Sequence, residues 1–307
     1  MLDQLGALHL PSQSELGVAG ARELAELAAQ MGPPPAPVAA VEDRVIETPG
    51  AQIPVRVYTP AGTPPFPVAV CFHGGGFVLG SLDSHDGGAR RLANASGCVV
   101  VSVGYRLAPE HPFPAAVEDA YAATRWVAEH ARELNGDPRR IAVAGESAGG
   151  NLAAVVALLA RDRGGPALGF QLLVYPAVDM EGEYASRTEN GEGYLLSLED
   201  MRWYEGKYLK DRSERADVRA SPFRASSHAG LPPALIITAE YDPLRDEGEA
   251  YGERLRAAGV PARVSRYEGM VHGFFGMVGL LDQAAEALEE AGSAMRDALP
   301  PEPPAGH

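Results

Sequence analysis

The sequence predicts an α/β protein built on a twisted, mostly parallel sheet of eight strands with helices on both faces. Eight candidate strands occur along the 307 residues, and most alternate with stretches of helical length. Repeated βα units of this kind imply a doubly wound sheet. Several of the strands are near-continuous apolar runs, which is typical of a parallel sheet covered on both faces. Length alone leaves two options, one large α/β domain or two smaller ones.

The first elements are a helix and a pair of strands. Residues 15–31 carry apolar side chains at roughly helical spacing, which predicts an amphipathic helix that stops before Pro33. The apolar period then changes from helix to strand. Residues 45–48 and 53–58 are predicted to be strands flanking a Pro49-Gly50 turn, which suggests an antiparallel start to the sheet.

Six further strands and five helices follow. The strands are predicted at Phe66–Phe72, Cys98–Val103, Ile141–Ala144, Phe170–Tyr175, Ala234–Ala239 and Ala262–Tyr267. The helices are predicted at about 85–96, 114–134, 148–163, 244–258 and 280–297. Residues 178–222 interrupt the alternation with polar, aromatic-bearing sequence, which predicts a cap or lid rather than a structureless loop.

Composition excludes several classes of protein. With 46% hydrophobic and 22% charged residues, the chain is neither collagen-like, disordered nor disulfide-rich. Its net charge of -15 disfavours binding to nucleic acid or to an anionic membrane. No apolar run approaches ~20 residues and no signal peptide is visible, so we expect a cytoplasmic protein without membrane insertion. Cys71 and Cys98 lie in apolar runs and are expected to be buried, reduced thiols.

A candidate nucleophile lies in the motif Gly145-Glu-Ser-Ala-Gly149. The motif follows a predicted strand and opens an apolar helix, which is the setting of a nucleophile elbow centred on Ser147. Small flanking residues are needed there because the turn is sharp and strained. The alternative is a glycine-rich turn with an incidental serine, which the strand–turn–helix context disfavours.

A second glycine-rich segment, His73-Gly-Gly-Gly-Phe77, follows the strand that ends at Phe72. Three consecutive glycines let backbone amides turn towards a ligand, as in an oxyanion hole that also uses the amide after the nucleophile. A phosphate cradle is the alternative, but no Lys-Ser/Thr follows and the spacing of a dinucleotide fingerprint is absent. We expect His73 to support this loop by hydrogen bonding rather than to act as a base.

The nucleophile needs a base and the base an orienting acid. If the chain order is serine, acid, histidine, His228 and His272 remain as bases; His272 is favoured because it follows a strand at a carboxyl end of the sheet. Asp242 also follows a strand and is the favoured acid, with Glu240 a weaker rival. Asp246 and Glu247 are expected to face solvent or to favour the N-terminus of the next helix.

With these residues assembled, the chain resembles the hormone-sensitive-lipase-type (bacterial family IV) carboxylesterases of the α/β-hydrolase fold. The resemblance runs from about residue 40 to the end of the chain. One departure is Glu146, where the family more often has aspartate. The motifs that carry the resemblance are His73–Phe77, Tyr105–Glu110 with Phe113–Ala116, Gly145–Gly150, Asp242–Asp246 and His272–Phe274.

The resemblance implies one α/β-hydrolase domain over 1–307, with a cap formed by about 1–40 and 178–222. It implies no cofactor or metal, and a small-molecule ester with a short- to medium-chain acyl group as substrate. Members of the family are variously monomers and dimers, and of the two we favour a homodimer. Ser147 would be the nucleophile, His272 the general base and Asp242 its orienting acid. The oxyanion donors would be the amides of Gly75, Gly76 and Ala148, with His73, Gly74 and Glu146 supporting them.

Three other functions stay open from the sequence. An amidase or peptidase on the same fold would use the same three catalytic residues. A small-molecule receptor on this scaffold would lack the catalytic histidine, whereas His272 is present. A true lipase needs a large apolar lid, and residues 178–222 are polar.

Overall fold

A computed structural model describes residues 12–48 and 50–301, and its centre is one sheet of eight strands. The order is β1-β2-β4-β3-β5-β6-β7-β8. β1 and β2 join antiparallel, whereas β3 to β8 are parallel to one another. The predicted fold class is confirmed. The strands are β1 (Ala40–Glu47), β2 (Gln52–Thr59), β3 (Phe66–Phe72), β4 (Val99–Val103), β5 (Gly136–Glu146), β6 (Phe170–Val174), β7 (Ala234–Tyr241) and β8 (Ala262–Val271).

Helices cover both faces of the sheet and form two separate cores. One core combines the sheet with α3, α4 and α7, and the other with α2 and α8. The helices are α1 (Gln13–Gln30), α2 (Asp86–Ser96), α3 (Ala115–His130), α4 (Ala148–Asp162), α5 (Ala185–Glu189), α6 (Leu198–Tyr208), α7 (Arg245–Ala257) and α8 (Asp282–Ala298). Short 3₁₀ turns occupy Ala131–Leu134, Arg212–Ala216, Pro222–Arg224 and Phe274–Gly276.

The continuous apolar runs of the central strands follow from this two-sided packing. On β3, Val68 and Val70 belong to one core while Ala69 belongs to the other, and all three are fully buried. Successive strand residues point to opposite faces, so both faces must be apolar when both are covered.

The predicted boundaries differ from the structure where polar sequence continues a strand. β5 begins at Gly136 rather than Ile141, because Asp137-Pro-Arg-Arg140 carries no apolar signal although it is extended. β8 continues beyond Tyr267 through the exposed residues Glu268 and Gly269 and ends at buried Val271. The helix predicted to reach residue 134 ends at His130 and continues as a 3₁₀ turn.

The segments predicted to form a cap lie together above the carboxyl ends of the strands. The 178–222 segment contains α5, α6 and two of the 3₁₀ turns, so it is structured rather than a plain loop. α1 packs against α6, and Ser14 Oγ donates a hydrogen bond to Glu199 at 2.9 Å. Residues 1–11 of the predicted cap lie outside the described residues, as do 302–307 of the C-terminal segment.

None of the helices in the part of the chain that the structure describes is long and apolar enough to cross a membrane.

Candidate active site

Ser147 occupies the sharp turn between β5 and α4. Its backbone has φ 56° and ψ −119°, which a non-glycine residue adopts only when its surroundings enforce it. The Ser147 amide donates to the Val174 carbonyl at 2.9 Å, which ties the turn to β6. A side chain at Gly145 would overlap the Gly149 carbonyl, and one at Gly149 would overlap the Phe72 carbonyl. The two motif glycines are therefore required by close backbone packing.

Ser147, His272 and Asp242 form one chain of hydrogen bonds. His272 Nε2 lies 3.0 Å from Ser147 Oγ, and His272 Nδ1 lies 2.7 Å from Asp242 Oδ2. Asp242 is fully buried, and its other oxygen accepts the Leu244 amide at 2.8 Å. The three residues meet because each follows a parallel strand, and the carboxyl ends of β5, β7 and β8 share one edge of the sheet.

The glycine loop after β3 faces the first turn of α4. Gly75 has φ 112° and Gly76 φ 60°, conformations that favour glycine. Within the described residues, no acceptor is in hydrogen-bonding range of the amides of Gly75, Gly76 or Ala148. Three amide donors beside the serine are thus left available for a ligand.

His73 holds the glycine loop from beneath. Its Nδ1 lies 2.7 Å from the Gly74 carbonyl, and Tyr105 Oη donates to the His73 carbonyl at 2.8 Å. Burial, together with the neighbouring His85, lowers the pKa of His73 to about 3, so the ring is neutral. These contacts agree with a supporting role for His73 and place the Tyr105–Glu110 motif beneath the same loop.

His228 and Glu240, the alternative base and acid, form hydrogen bonds away from Ser147. His228 Nε2 lies 3.0 Å from the Pro222 carbonyl, and its ring packs against Tyr251. Glu240 accepts the Gly269 amide at 2.7 Å, and no hydrogen bond joins it to His272. The structure therefore brings neither residue to Ser147.

The prediction that Glu247 faces solvent is wrong, although it does lie in the first turn of α7. Its side chain is 1% exposed and accepts the amides of Val178 at 2.8 Å and Asp179 at 3.2 Å. Arg187 donates to its other oxygen at 2.6 Å. Burial raises the pKa of Glu247 to about 7, against the lowering effect of the Arg187 charge. Helical spacing carries the missed signal, because Glu247 shares a face with buried Tyr251.

Replacing Arg187 by methionine is expected to destabilise the fold by about 3 kcal/mol, because the buried Glu247 carboxylate loses its cation. The loss should be larger at about pH 8 than at about pH 5. A further rise in the folded-state pKa means that the native chain retains a proton that the unfolded chain releases, so stability falls as pH rises. Urea unfolding at both pH values measures this. The Arg187→Met/Glu247→Gln double variant should lose the pH dependence, and an equal loss for the single variant at both pH values would contradict the account.

A cavity of about 1230 Å³ opens onto Ser147 and His272. Its wall is mainly apolar and comes from the body of the fold and from the segments predicted to form the cap. Phe77 and Tyr175 both line it. Other lining residues are Met31 and Pro33 after α1, Leu195, Met201, Tyr204 and Tyr208 from the 178–222 segment, and Met277 and Leu281 after His272.

His85 precedes Ser147, so the chain order serine, acid, histidine excludes it as the base, and the sequence does not indicate where it lies. His85 Nε2 is 3.3 Å from Glu146 Oε1, and Tyr175 Oη donates to Glu146 Oε2 at 2.7 Å. All three line the same cavity as Ser147. No spacing rule connects His85 to Glu146, because the long loop after β3 brings them together.

The described residues offer neither a metal-binding cluster nor a disulfide, and of the two thiols predicted to be buried, Cys98 is buried whereas Cys71 is partly exposed. Throughout residues 12–48 and 50–301, no group of three His, Cys, Asp or Glu side chains is arranged to hold a metal ion. Cys71 and Cys98 are both free. Burial raises the pKa of the Cys98 thiol to about 11 and that of Cys71 further still, so neither forms a thiolate near neutral pH.

Comparisons with known proteins agree with this geometry. Residues 69–276 match a family model described as the alpha/beta hydrolase fold. The chain is 48% identical over 266 residues to the esterase LipI of Mycobacterium tuberculosis, covering 84% of this chain and 82% of the relative. It is 39% identical over 254 residues to an ethyl acetate hydrolase of Pseudomonas putida, with 81% and 80% covered.

A solved structure shows the same likeness over nearly the whole chain. The hyperthermophilic esterase of the archaeon Pyrobaculum calidifontis superposes with a TM-score of 0.91 and 44% identity, covering 96% of each chain. The chain is therefore a hydrolase that belongs to the α/β-hydrolase family and, within it, to the hormone-sensitive-lipase-type carboxylesterases.

Proposed function

We propose that this carboxylesterase hydrolyses short- to medium-chain acyl esters through an acyl-enzyme on Ser147. The observation that carries the proposal is the hydrogen-bond chain from Ser147 Oγ to His272 at 3.0 Å and from His272 to buried Asp242 at 2.7 Å. A serine hydroxyl is a weak nucleophile until an oriented base removes its proton, and this chain supplies both the base and its orientation.

The reaction proceeds in two steps. In the first, Ser147 Oγ attacks the ester carbonyl carbon while its proton passes to His272 Nε2. The tetrahedral intermediate collapses, the alcohol leaves with the proton from His272, and the acyl group remains on Ser147. In the second step, water attacks the acyl carbonyl and gives its proton to the same nitrogen, which returns it to Ser147 as the acid departs.

The amides of Gly75, Gly76 and Ala148 are the proposed donors to the developing oxyanion. Two observations support the assignment: these amides lack other acceptors in the described structure, and Ala148 N opens α4, where the helix dipole favours negative charge. Fixed donors in a partly desolvated cavity stabilise the transition state strongly, and losing one typically costs on the order of 10²–10³ in rate.

The segments at about 1–40 and 178–222 are proposed to form the cap over this site, within a single domain spanning 1–307. Tyr204 from α6 lies directly over Gly76, where an added Cβ would overlap its ring. The relative from Pseudomonas putida is described as an ethyl acetate hydrolase, which supports a substrate with a short- to medium-chain acyl group. The homodimer and cytoplasmic location expected from the sequence remain proposals, and light scattering of the purified protein tests the first.

The proposed activity is tested with p-nitrophenyl esters from acetyl to palmitoyl. We expect kcat/KM to peak at short or medium acyl chains, because the cavity is finite and its apolar wall favours alkyl groups. A phosphonate ester should label the protein once per chain at Ser147 and leave Ser147→Ala unlabelled. A maximum at palmitoyl esters, or activity rising sharply at an emulsion interface, would favour a lipase instead.

Matched anilides separate esterase from amidase. Faster turnover of an anilide than of the ester with the same acyl group would reverse the substrate class. Binding of a small ligand without turnover of any ester would favour a receptor.

A further inference from the structure

Glu146 precedes the nucleophile, yet the proposed reaction gives it no part. Its carboxylate accepts Tyr175 Oη at 2.7 Å and lies 3.3 Å from His85 Nε2. It also packs beneath the glycine loop, since a Cβ added to Gly74 would lie 3.4 Å from Glu146 Cγ. A carboxylate that is only 23% exposed and is held by two side chains is costly to ionise unless its charge is used or well compensated.

The carboxylate is joined to His272 through one side chain. The Tyr175 ring lies 4.5 Å from the His272 ring, between centroids, and its hydroxyl ends at Glu146. Tyr175 itself is 1% exposed and has φ 34°, so its position is enforced by its surroundings. Glu146 therefore fixes the face against which His272 packs.

Glu146 is ionised throughout the working range of pH. Burial opposes its ionisation, but the hydrogen bonds from His85 and Tyr175 and the charges of His85 and His272 outweigh burial and hold its pKa at about 2. His85 Nε2 lies 3.3 Å from Glu146 Oε1, and His85 Nδ1 lies 3.1 Å from Ser84 Oγ. The anion then keeps its full charge beside His272.

Most of the other titratable side chains around Glu146 and His272 carry no charge. Burial raises the pKa of the tyrosine and cysteine side chains here and lowers that of His73, so all four are neutral. Arg91 lines the same cavity, and no hydrogen bond or ion pair joins it to Glu146 in the described structure. The titratable groups around Glu146 and His272 are Asp242, His85, His73, Tyr105, Tyr175 and Cys71.

We propose that Glu146 is a positioning residue and the second anion of the active site. Through Tyr175 it orients His272, and its charge favours the protonated imidazole that forms in each step of the reaction. The inference rests on the proposed function, because it assigns Glu146 a part in a reaction whose base is His272. At an effective dielectric constant near 20, an opposite charge roughly 12 Å away shifts a titration by about one pH unit.

The test is the pH profile of kcat/KM for wild type, Glu146→Gln and Glu146→Asp with p-nitrophenyl butyrate. Activity requires neutral histidine, so the acidic limb marks its protonation. Glu146→Gln removes the negative charge, makes protonation harder, and should move the limb to lower pH by ~0.5–1 unit while kcat falls ~10-fold. Glu146→Asp keeps the charge on a shorter arm, so its limb should stay near that of wild type although kcat falls.

Glu290 on α8 offers a matched control, because Tyr267 Oη donates to it at 2.7 Å and it does not line the cavity that contains Ser147. Glu290→Gln should leave both the limb and kcat near those of wild type. If Glu146→Gln does not fold, Glu146→Ser tests the same loss of charge. The proposal is overturned if the acidic limb does not move in the neutral variant that folds, Glu146→Gln or Glu146→Ser. It is also overturned if the limb moves equally far in Glu146→Asp. Wild-type turnover and labelling of Ser147 test the proposed function independently of the Glu146 variants. Failure of the proposed function is therefore distinguishable from failure of the role proposed for Glu146.

Discussion

Replacing Ser147 by alanine is expected to lower kcat for ester hydrolysis by about 10⁶-fold, and replacing His272 by alanine should cost a similar factor. The reason is that the two residues act as one unit. Without His272 the hydroxyl keeps its proton, and without Ser147 the base has no bound nucleophile to activate. The Ser147→Ala/His272→Ala double variant should therefore be no slower than either single variant. Steady-state rates with p-nitrophenyl butyrate, corrected for spontaneous hydrolysis, measure all three.

The matched control is His228→Gln. His228 was the other histidine that chain order left open, but it is hydrogen-bonded to the Pro222 carbonyl and packed against Tyr251. Its replacement should change kcat by less than ~3-fold. Losses that multiply in the Ser147→Ala/His272→Ala variant would show that the two residues act independently, which contradicts the mechanism.

The fold was predictable because its signals are local. A parallel strand covered on both faces is apolar at most positions, so β3, β4 and β6 are visible as short hydrophobic runs. β5 was shortened in the prediction because its first residues lie where the sheet ends, and there polar side chains such as Arg140 are tolerated. The pattern of apolar residues indicates burial, so it does not mark the polar residues with which a strand begins or ends.

The serine, histidine and aspartate were predictable for a topological reason. Each follows a parallel strand, and such strands present their carboxyl ends at one edge. That rule ranked His272 above His228 and Asp242 above Glu240 before any distance was known, and the structure brings the favoured pair to Ser147.

Contacts made across long loops were not predictable in the same way. His85 reaches Glu146 through the loop between β3 and α2, and no pattern in the sequence fixes that path. Glu247 was misplaced for a different reason. A carboxylate is usually exposed unless it is paired. Its partner Arg187 is 60 residues away in the chain, so their pairing is a tertiary fact.

Replacing Asp242 by asparagine is expected to lower kcat by about 10⁴-fold while KM and the fold are retained. The asparagine oxygen can still accept the Leu244 amide, so the buried site keeps its packing. Its amide nitrogen, however, would face His272 Nδ1 as a donor. The imidazole proton would then move to Nε2, and that nitrogen could no longer accept the proton of Ser147. Burst and steady-state kinetics with p-nitrophenyl acetate measure the effect.

Glu240→Gln separates this tautomer effect from a general loss of negative charge near the base. Glu240 lies near the end of β7 and accepts the Gly269 amide, so its replacement should change kcat by less than ~3-fold. A fall of less than ~10-fold for Asp242→Asn would mean that its contact with Nδ1 does not select the tautomer. Glu146 cannot substitute for that contact, because it meets His272 only through the Tyr175 ring and offers charge without an acceptor at Nδ1. We therefore propose different roles for the two carboxylates: Asp242 fixes which imidazole nitrogen carries the proton in the neutral ring, and Glu146 favours the protonated, positively charged ring that forms during the reaction.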